Sequence, residues 1–284
     1  MATVAVREGV RGAERRRPRA RRRRWWFPAL LWVSTAMTLC FFALPVLAIF
    51  LHTSPARLLS SLNSSESLDA LRLSIETSSI ALAVIVLVGT PAAYLLAMRQ
   101  FRGQAAVLTL IELPLVLPPA VAGIGLLAAL GPQGLLGGLL GDVHVQLVLQ
   151  TAGVVVALVF VAAPFYVRQA YAGFQGIERR HFEAALALGA TKGGVFLRLA
   201  VPIARPALLA GLALAWGRAL GEFGATLMFA GSFQGITQTV PLAIYDQFAS
   251  DFPAALALSA LLVIVSAALL LTIKLLWPRA QPTM

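Results

Sequence analysis

Four ionisable residues interrupt long apolar stretches of this chain: Glu76, Glu112, Arg218 and Glu222. A charge inside a hydrophobic run is costly and marks a pairing or functional position. Arg218 and Glu222 stand four apart, so on one helix face they can neutralise each other. A structural ion pair is the first reading, and a polar lining for a charged solute is the second. Glu76 lies near the end of its run and can reach an interface, whereas Glu112 has no evident partner. A second feature is Leu113-Pro114-Leu115-Val116-Leu117-Pro118-Pro119, followed by Gly123 and Gly125. Its three prolines remove three backbone donors and prevent a regular helix. Inside a bilayer such a break is tolerated only against protein or a water-filled path. Pro118 and Pro119 are therefore read as lining a central pathway, with a kink packed inside the bundle as the alternative. Other chemistry is poorly represented. His52, His144 and His181 fall in three different connections and make no metal site. Gly189-Ala190-Thr191-Lys192-Gly193-Gly194 only superficially suggests a phosphate loop, and Gly-x4-Gly-Lys-Ser/Thr is absent. No nucleophile–base pair stands out, which disfavours an enzyme.

These residues are carried by membrane-spanning elements. Of 284 residues, 59% are hydrophobic and only 12% charged, with a mean hydropathy of +0.82. Soluble domains carry about 25% charged residues, so a soluble globular enzyme is excluded. Six apolar runs, about 26–51, 74–98, 105–130, 145–167, 206–230 and 254–276, each reach the roughly 20 residues a bilayer crossing needs. Lipid offers the backbone no hydrogen-bond partners, so the runs are expected to be α-helices. They are continuous rather than alternating, which excludes a porin-like barrel. Cys40, the single cysteine, cannot form an intrachain disulfide.

The net charge of +11 is localised: ten of the 23 basic residues lie in the first 24 positions. No recognition fold accompanies this tail, so nucleic acid is not the expected partner. A twin-arginine export signal is also a poor fit, because several more spans follow. The tail reads as a disordered anchor, residues 1–25, attracted to anionic membrane lipid. Arg99 and Arg102 mark the second connection, and Arg168, Arg179, Arg180, Lys192 and Arg198 mark the fourth. The odd connections hold almost no basic residues and carry Glu66, Asp69, Asp142, Asp246 and Asp251. Both termini are therefore expected in the cytoplasm.

The fourth connection, residues 177–202, is the most informative. A helix over Glu183–Leu188 is expected to be closed by Gly189. Thr191 is expected to cap a second short helix that ends before Pro202. Ala184, Ala185 and Gly189 let another backbone approach, so the bent pair forms a knob suited to a groove on a cytoplasmic partner.

Glu183-Ala184-Ala185, Gly189 and Leu199-Ala200-Val201-Pro202 resemble the EAA loop of binding-protein-dependent ABC importer permeases, Glu-Ala-Ala-x3-Gly-x9-Ile-x-Leu-Pro. Leu199 and Val201 are mild departures. Arg218-Ala219-Leu220-Gly221-Glu222-Phe223-Gly224-Ala225-Thr226 and Thr237-Gln238-Thr239-Val240-Pro241-Leu242 resemble the molybdate permeases of that family. Gly89-Thr90-Pro91-Ala92-Ala93-Tyr94 and the proline run do so too. The resemblance covers about residues 70–275. It implies an all-α polytopic membrane protein with six transmembrane helices, of the type I ABC importer permease fold. An additional helix at 26–51 would precede a transport domain at 70–277 containing the coupling loop 177–202. Glu183, Ala184, Ala185, Gly189 and Ala190 would contact the ATPase. Pro118, Pro119, Arg218, Glu222, Thr226 and Ser232 would border the translocation pathway. The resemblance further implies a permease homodimer, two ABC ATPase subunits that carry ATP and magnesium, and an extracytoplasmic molybdate-binding protein, with no cofactor on this chain. The expected cargo is molybdate or tungstate, with sulfate as the alternative within the family. An ion-coupled carrier using Glu112 and Glu222 is the rival outside it, but no repeat relates the halves and a carrier has no use for the knob.

Overall fold

The computed structural model describes residues 26–275; the expected basic tail, 1–25, lies outside the described residues. The first of two compact units ends at Pro45 and the second begins at Val46. Helix α1, Trp26–His52, contains Pro45 and has no buried residue. It is followed by α2 (Pro55–Asn63), α3 (Ser65–Met98), α4 (Gln104–Glu112), α5 (Pro119–Leu130) and α6 (Gly137–Asp142). Then come α7 (Thr151–Gln175), α8 (Arg179–Ala187), α9 (Lys192–Val195) and α10 (Val201–Leu220). The chain closes with α11 (Gly224–Ala230), α12 (Val240–Ser250) and α13 (Phe252–Leu275). Among the described residues there is no β-strand.

Among the described residues, five helical stretches are long and apolar enough to cross a membrane: α1, α3, α7, Lys192–Leu220 and α13. A sixth exists only if α4 and α5 count as one span, and they are bent by 115°. The third and fifth expected spans change most, and the fourth moves from 145–167 to α7, Thr151–Gln175. The third is not one kinked helix. Leu113–Leu115 form a 3-10 turn, and Pro118, extended at φ −54° and ψ 136°, re-aims the chain before Pro119 starts α5. The fifth is shifted from 206–230 to Lys192–Leu220, and a break at residues 221–223 separates it from α11.

The core is built on α7, which packs between α3 and α10. Along α3 the buried positions Ala70, Leu73, Thr77, Ala81, Ile85, Gly89, Ala93 and Leu96 recur every three or four residues, one stripe of a helix. Small residues bring the backbones together, the usual device where lipid weakens the hydrophobic drive. A Cβ on Gly89 would lie 3.1 Å from Val167, and one on Gly173 would lie 2.5 Å from the Ala207 Cβ. A Cβ on Gly211 would lie 3.1 Å from the Tyr166 carbonyl oxygen. Two hydrogen bonds add specificity: Thr90 Oγ1 to Tyr166 Oη at 2.7 Å, and Trp216 Nε1 donating to Ser78 Oγ at 3.1 Å. A smaller core joins Ala122 and Leu126 of α5 to Ala157, Val161, Ala225 and Phe229. A third holds α12 and α13 against α3 through Ala70, Val240, Ala243 and Leu258. There the Val240 N–H donates to Ser74 Oγ at 2.8 Å.

Candidate translocation site and coupling segment

Two helix starts meet inside the bundle. Helix α10 stops at Leu220, and Gly221, Glu222 and Phe223 turn the chain before α11 begins at Gly224. Glu222 is 2% exposed. One of its carboxylate oxygens accepts from the Ala225 N–H at 2.7 Å, satisfying a donor at the start of α11. The other lies 2.5 Å from the Arg218 guanidinium. The pair expected on one helix face therefore forms, but across a break: it staples the end of α10 to the start of α11.

Beside it stands the start of α5. A Cβ on Gly224 would lie 2.7 Å from the Pro119 Cβ, and one on Gly123 would lie 2.6 Å from the Ala225 carbonyl oxygen. Only glycine permits this approach. Gly123→Ala is expected to destabilise the protein by about 1–3 kcal/mol, because the obstructing atom is backbone. Gly125→Ala, with nothing within 4 Å of the new Cβ, should leave the thermal midpoint unchanged or higher. Equal midpoints for the two variants would refute the close approach.

Of the pathway residues expected from sequence, Pro118, Pro119, Arg218 and Glu222 are thus gathered around two adjoining breaks. Thr226 follows Glu222 by one turn of chain and is fully buried; its hydroxyl has no hydrogen-bond partner among the described residues. Ser232 lies elsewhere. Its hydroxyl donates to Asp246 Oδ2 at 2.8 Å, and the Gln238 side-chain amide donates to the same oxygen at 2.8 Å. Sequence reasoning missed Gly123 and Gly224 as contact residues, and it missed Asp246 as the anchor of this loop. Glu112, unpaired in the sequence reading, faces Arg168 of α7 at 3.7 Å. Both side chains are substantially exposed, 43% and 65%, so the bridge contributes little. Glu76 is exposed. Among the described residues no group of three or more His, Cys, Asp or Glu could hold a metal ion.

The knob is built as a capped helix and a turn. Helix α8 begins at Arg179, four residues earlier than expected. Its end is a Schellman motif: the Ala190 N–H donates to the Ala185 carbonyl at 3.0 Å and the Gly189 N–H to the Leu186 carbonyl at 2.9 Å. Gly189 sits at φ +84°, where a side chain is disfavoured. Thr191 Oγ1 accepts from the Gly194 N–H at 3.1 Å and caps α9. Glu183, Ala184, Gly189 and Ala190 are exposed and Ala185 is half-buried. At the apex Leu188 is 89% exposed. The second helix does not end before Pro202. A π-helical turn, Phe196–Ala200, carries α9 into α10, and the Val201 N–H donates to the Phe196 carbonyl. Pro202 follows directly on this turn, inside the continuous stretch Lys192–Leu220.

This helical bundle, with its broken mid-bundle segment and capped loop, has counterparts among solved membrane proteins. The crystal structure of a bacterial ABC transporter involved in the import of the acidic polysaccharide alginate contains a chain of the same fold. The TM-score is 0.72 at 17% identity, over 90% of this chain and 96% of that one. Residues 85–281 match the binding-protein-dependent transport system inner membrane component family, and the chain belongs to that family. It is a multi-pass membrane transport component, not an enzyme. It is 39% identical to the molybdenum transport system permease protein ModB of Mycobacterium tuberculosis, over 86% of this chain and 92% of the relative. It is 34% identical to the sulfate transport system permease protein CysW of Synechococcus elongatus, over 63% of each chain.

Proposed function

We propose that this chain is the permease subunit of an ATP-driven importer that moves molybdate into the cytoplasm. The observation that carries the reading is the 39% identity to a molybdenum permease over 86% of the chain, against 34% over 63% for the sulfate permease. Two copies form the pathway, with both termini in the cytoplasm and the basic tail 1–25 on anionic lipid. The helix at 26–51 precedes the transport domain, 70–277. Two ATPase subunits, which bind ATP and magnesium, grip loop 177–202 through Glu183, Ala184, Ala185, Gly189 and Ala190. An extracytoplasmic binding protein delivers the oxyanion to the opposite face.

The electrostatics favour passage over retention. Extracting a dianion from water is costly unless it is compensated. Arg218, the cation beside the breaks, is already paired with Glu222, so the breaks offer polar contacts without a net positive trap. Pro118, Pro119, Arg218, Glu222, Thr226 and Ser232 border the pathway, and the Ser232 hydroxyl is held by Asp246. Selectivity then rests with the binding protein. In proteoliposomes holding permease, ATPase and binding protein, molybdate uptake should require ATP and be competed by tungstate more strongly than by sulfate. Molybdate movement by the permease alone, driven by a proton gradient, would overturn the reading.

A further inference from the structure

The knob must act on the spanning helices, and four aromatic rings mark where. Among the described residues, Phe182 is the residue of α8 that packs against the main hydrophobic core. Its ring centroid lies 6.5 Å from that of Tyr94 on α3. Tyr94 is the hub: it meets Phe174 of α7 edge-on at 5.3 Å and Phe196 of the π-turn at 4.8 Å. Phe174 and Phe196 close the cluster at 6.3 Å. One ring on the knob thus meets a cluster that joins α3, α7 and the π-turn leading into α10. The Tyr94–Phe174 pair has a preferred edge-on geometry, and the Phe182 ring meets Tyr94 tilted by 46°. A cleft of about 500 Å³ lies between α8 and the end of α3, lined by Tyr94 and Phe182 themselves together with Leu95, Met98, Glu183 and Leu186. The π-turn that holds Phe196 is a local departure from the α-helix, of the kind frequent at functional sites. Beyond the cluster the core is stiff: Thr90, one turn from Tyr94, bonds to Tyr166, and Gly89 and Gly211 press on the same tyrosine from two sides. Helix α10 then runs from the π-turn to the Arg218–Glu222 staple.

Resting on the importer reading above, we infer that Phe182, Tyr94, Phe174 and Phe196 form the joint through which displacement of the coupling helix α8 moves α3, α7 and α10 as one body. Phe182 and Tyr94 are positioning residues and touch neither nucleotide nor cargo.

The test uses the complete complex in proteoliposomes, reading ATP hydrolysis and molybdate uptake side by side. Phe182→Leu and Tyr94→Leu should leave ATPase co-purification and basal hydrolysis intact while uptake per ATP falls about tenfold, within the usual range of coupling energies. The double variant should be no worse than Tyr94→Leu alone, because that substitution already breaks the link to Phe182. Tyr94→Phe, which keeps the ring, should couple normally. Uptake per ATP within twofold of wild type in Tyr94→Leu would overturn the joint, as would strictly multiplicative losses in the double variant. Loss of co-purification in Phe182→Leu would assign that ring to docking instead and overturn it too. A wild-type chain that binds no ATPase at all would instead refute the importer reading itself.

Discussion

Gly189→Val is expected to abolish ATP-driven uptake, while Gly189→Asn retains most of it. The position is at φ +84°, and a Cβ there would meet nothing within 4 Å, so the penalty is conformational rather than a clash. A non-glycine residue pays about 1–2 kcal/mol in the left-handed region; Asn tolerates it, and a β-branched side chain is among the worst choices. Relieving that strain means breaking the two Schellman hydrogen bonds that set the direction of Leu188 and Ala190. With two knobs in a two-fold assembly the loss doubles to about 2–4 kcal/mol, on the order of a hundredfold in docking. Pull-down of the ATPase with tagged permease measures it, and membrane insertion should be unaffected. Normal co-purification of the valine variant would remove this loop from the ATPase contact.

Arg218→Leu should cost about 3–5 kcal/mol, because it strands the carboxylate of Glu222 in a dry site. For a chain of this size that is a fall on the order of 10 °C in the melting midpoint. Adding Glu222→Gln should recover most of the loss. The neutral amide keeps an oxygen for the Ala225 N–H and no longer needs a cation. Should Arg218→Leu melt with the wild type, the pair is solvated and the staple between α10 and α11 contributes nothing to stability. Failure of the second substitution to rescue would mean that Arg218 acts on something other than Glu222.

The parts of the fold that sequence made legible are those governed by lipid. The runs behind α1, α3, α7 and α13 are apolar because every exposed position must dissolve in hydrocarbon, and the observed spans fall close to them. The fifth span escaped for two physical reasons. Lys192, Arg198 and Pro202 make its first turns look like loop, and the π-turn that carries the helix past Pro202 leaves no hydropathy signal. At its other end Gly221–Gly224 breaks the helix, but the apolar residues on either side keep the run looking continuous. The proline break between α4 and α5 was visible in composition, but its 115° angle was not. Within the site, the Arg218–Glu222 pairing was legible because its partners are four apart, and the cap of Gly189 because its signal is local. Glu112 and Arg168, 56 positions apart, become neighbours only through packing of α4 on α7. The same holds for Tyr94 and Phe182, and for Gly123 and Ala225.

The staple has an electrical consequence. Moving one elementary charge through the membrane field is worth about 2.3 kcal/mol per 100 mV. Arg218 and Glu222 carry opposite charges a bond length or two apart, so if they travel together their contributions cancel. A rearrangement that carries the pair as a unit moves no net charge of theirs through the field, so the staple adds no voltage dependence of its own.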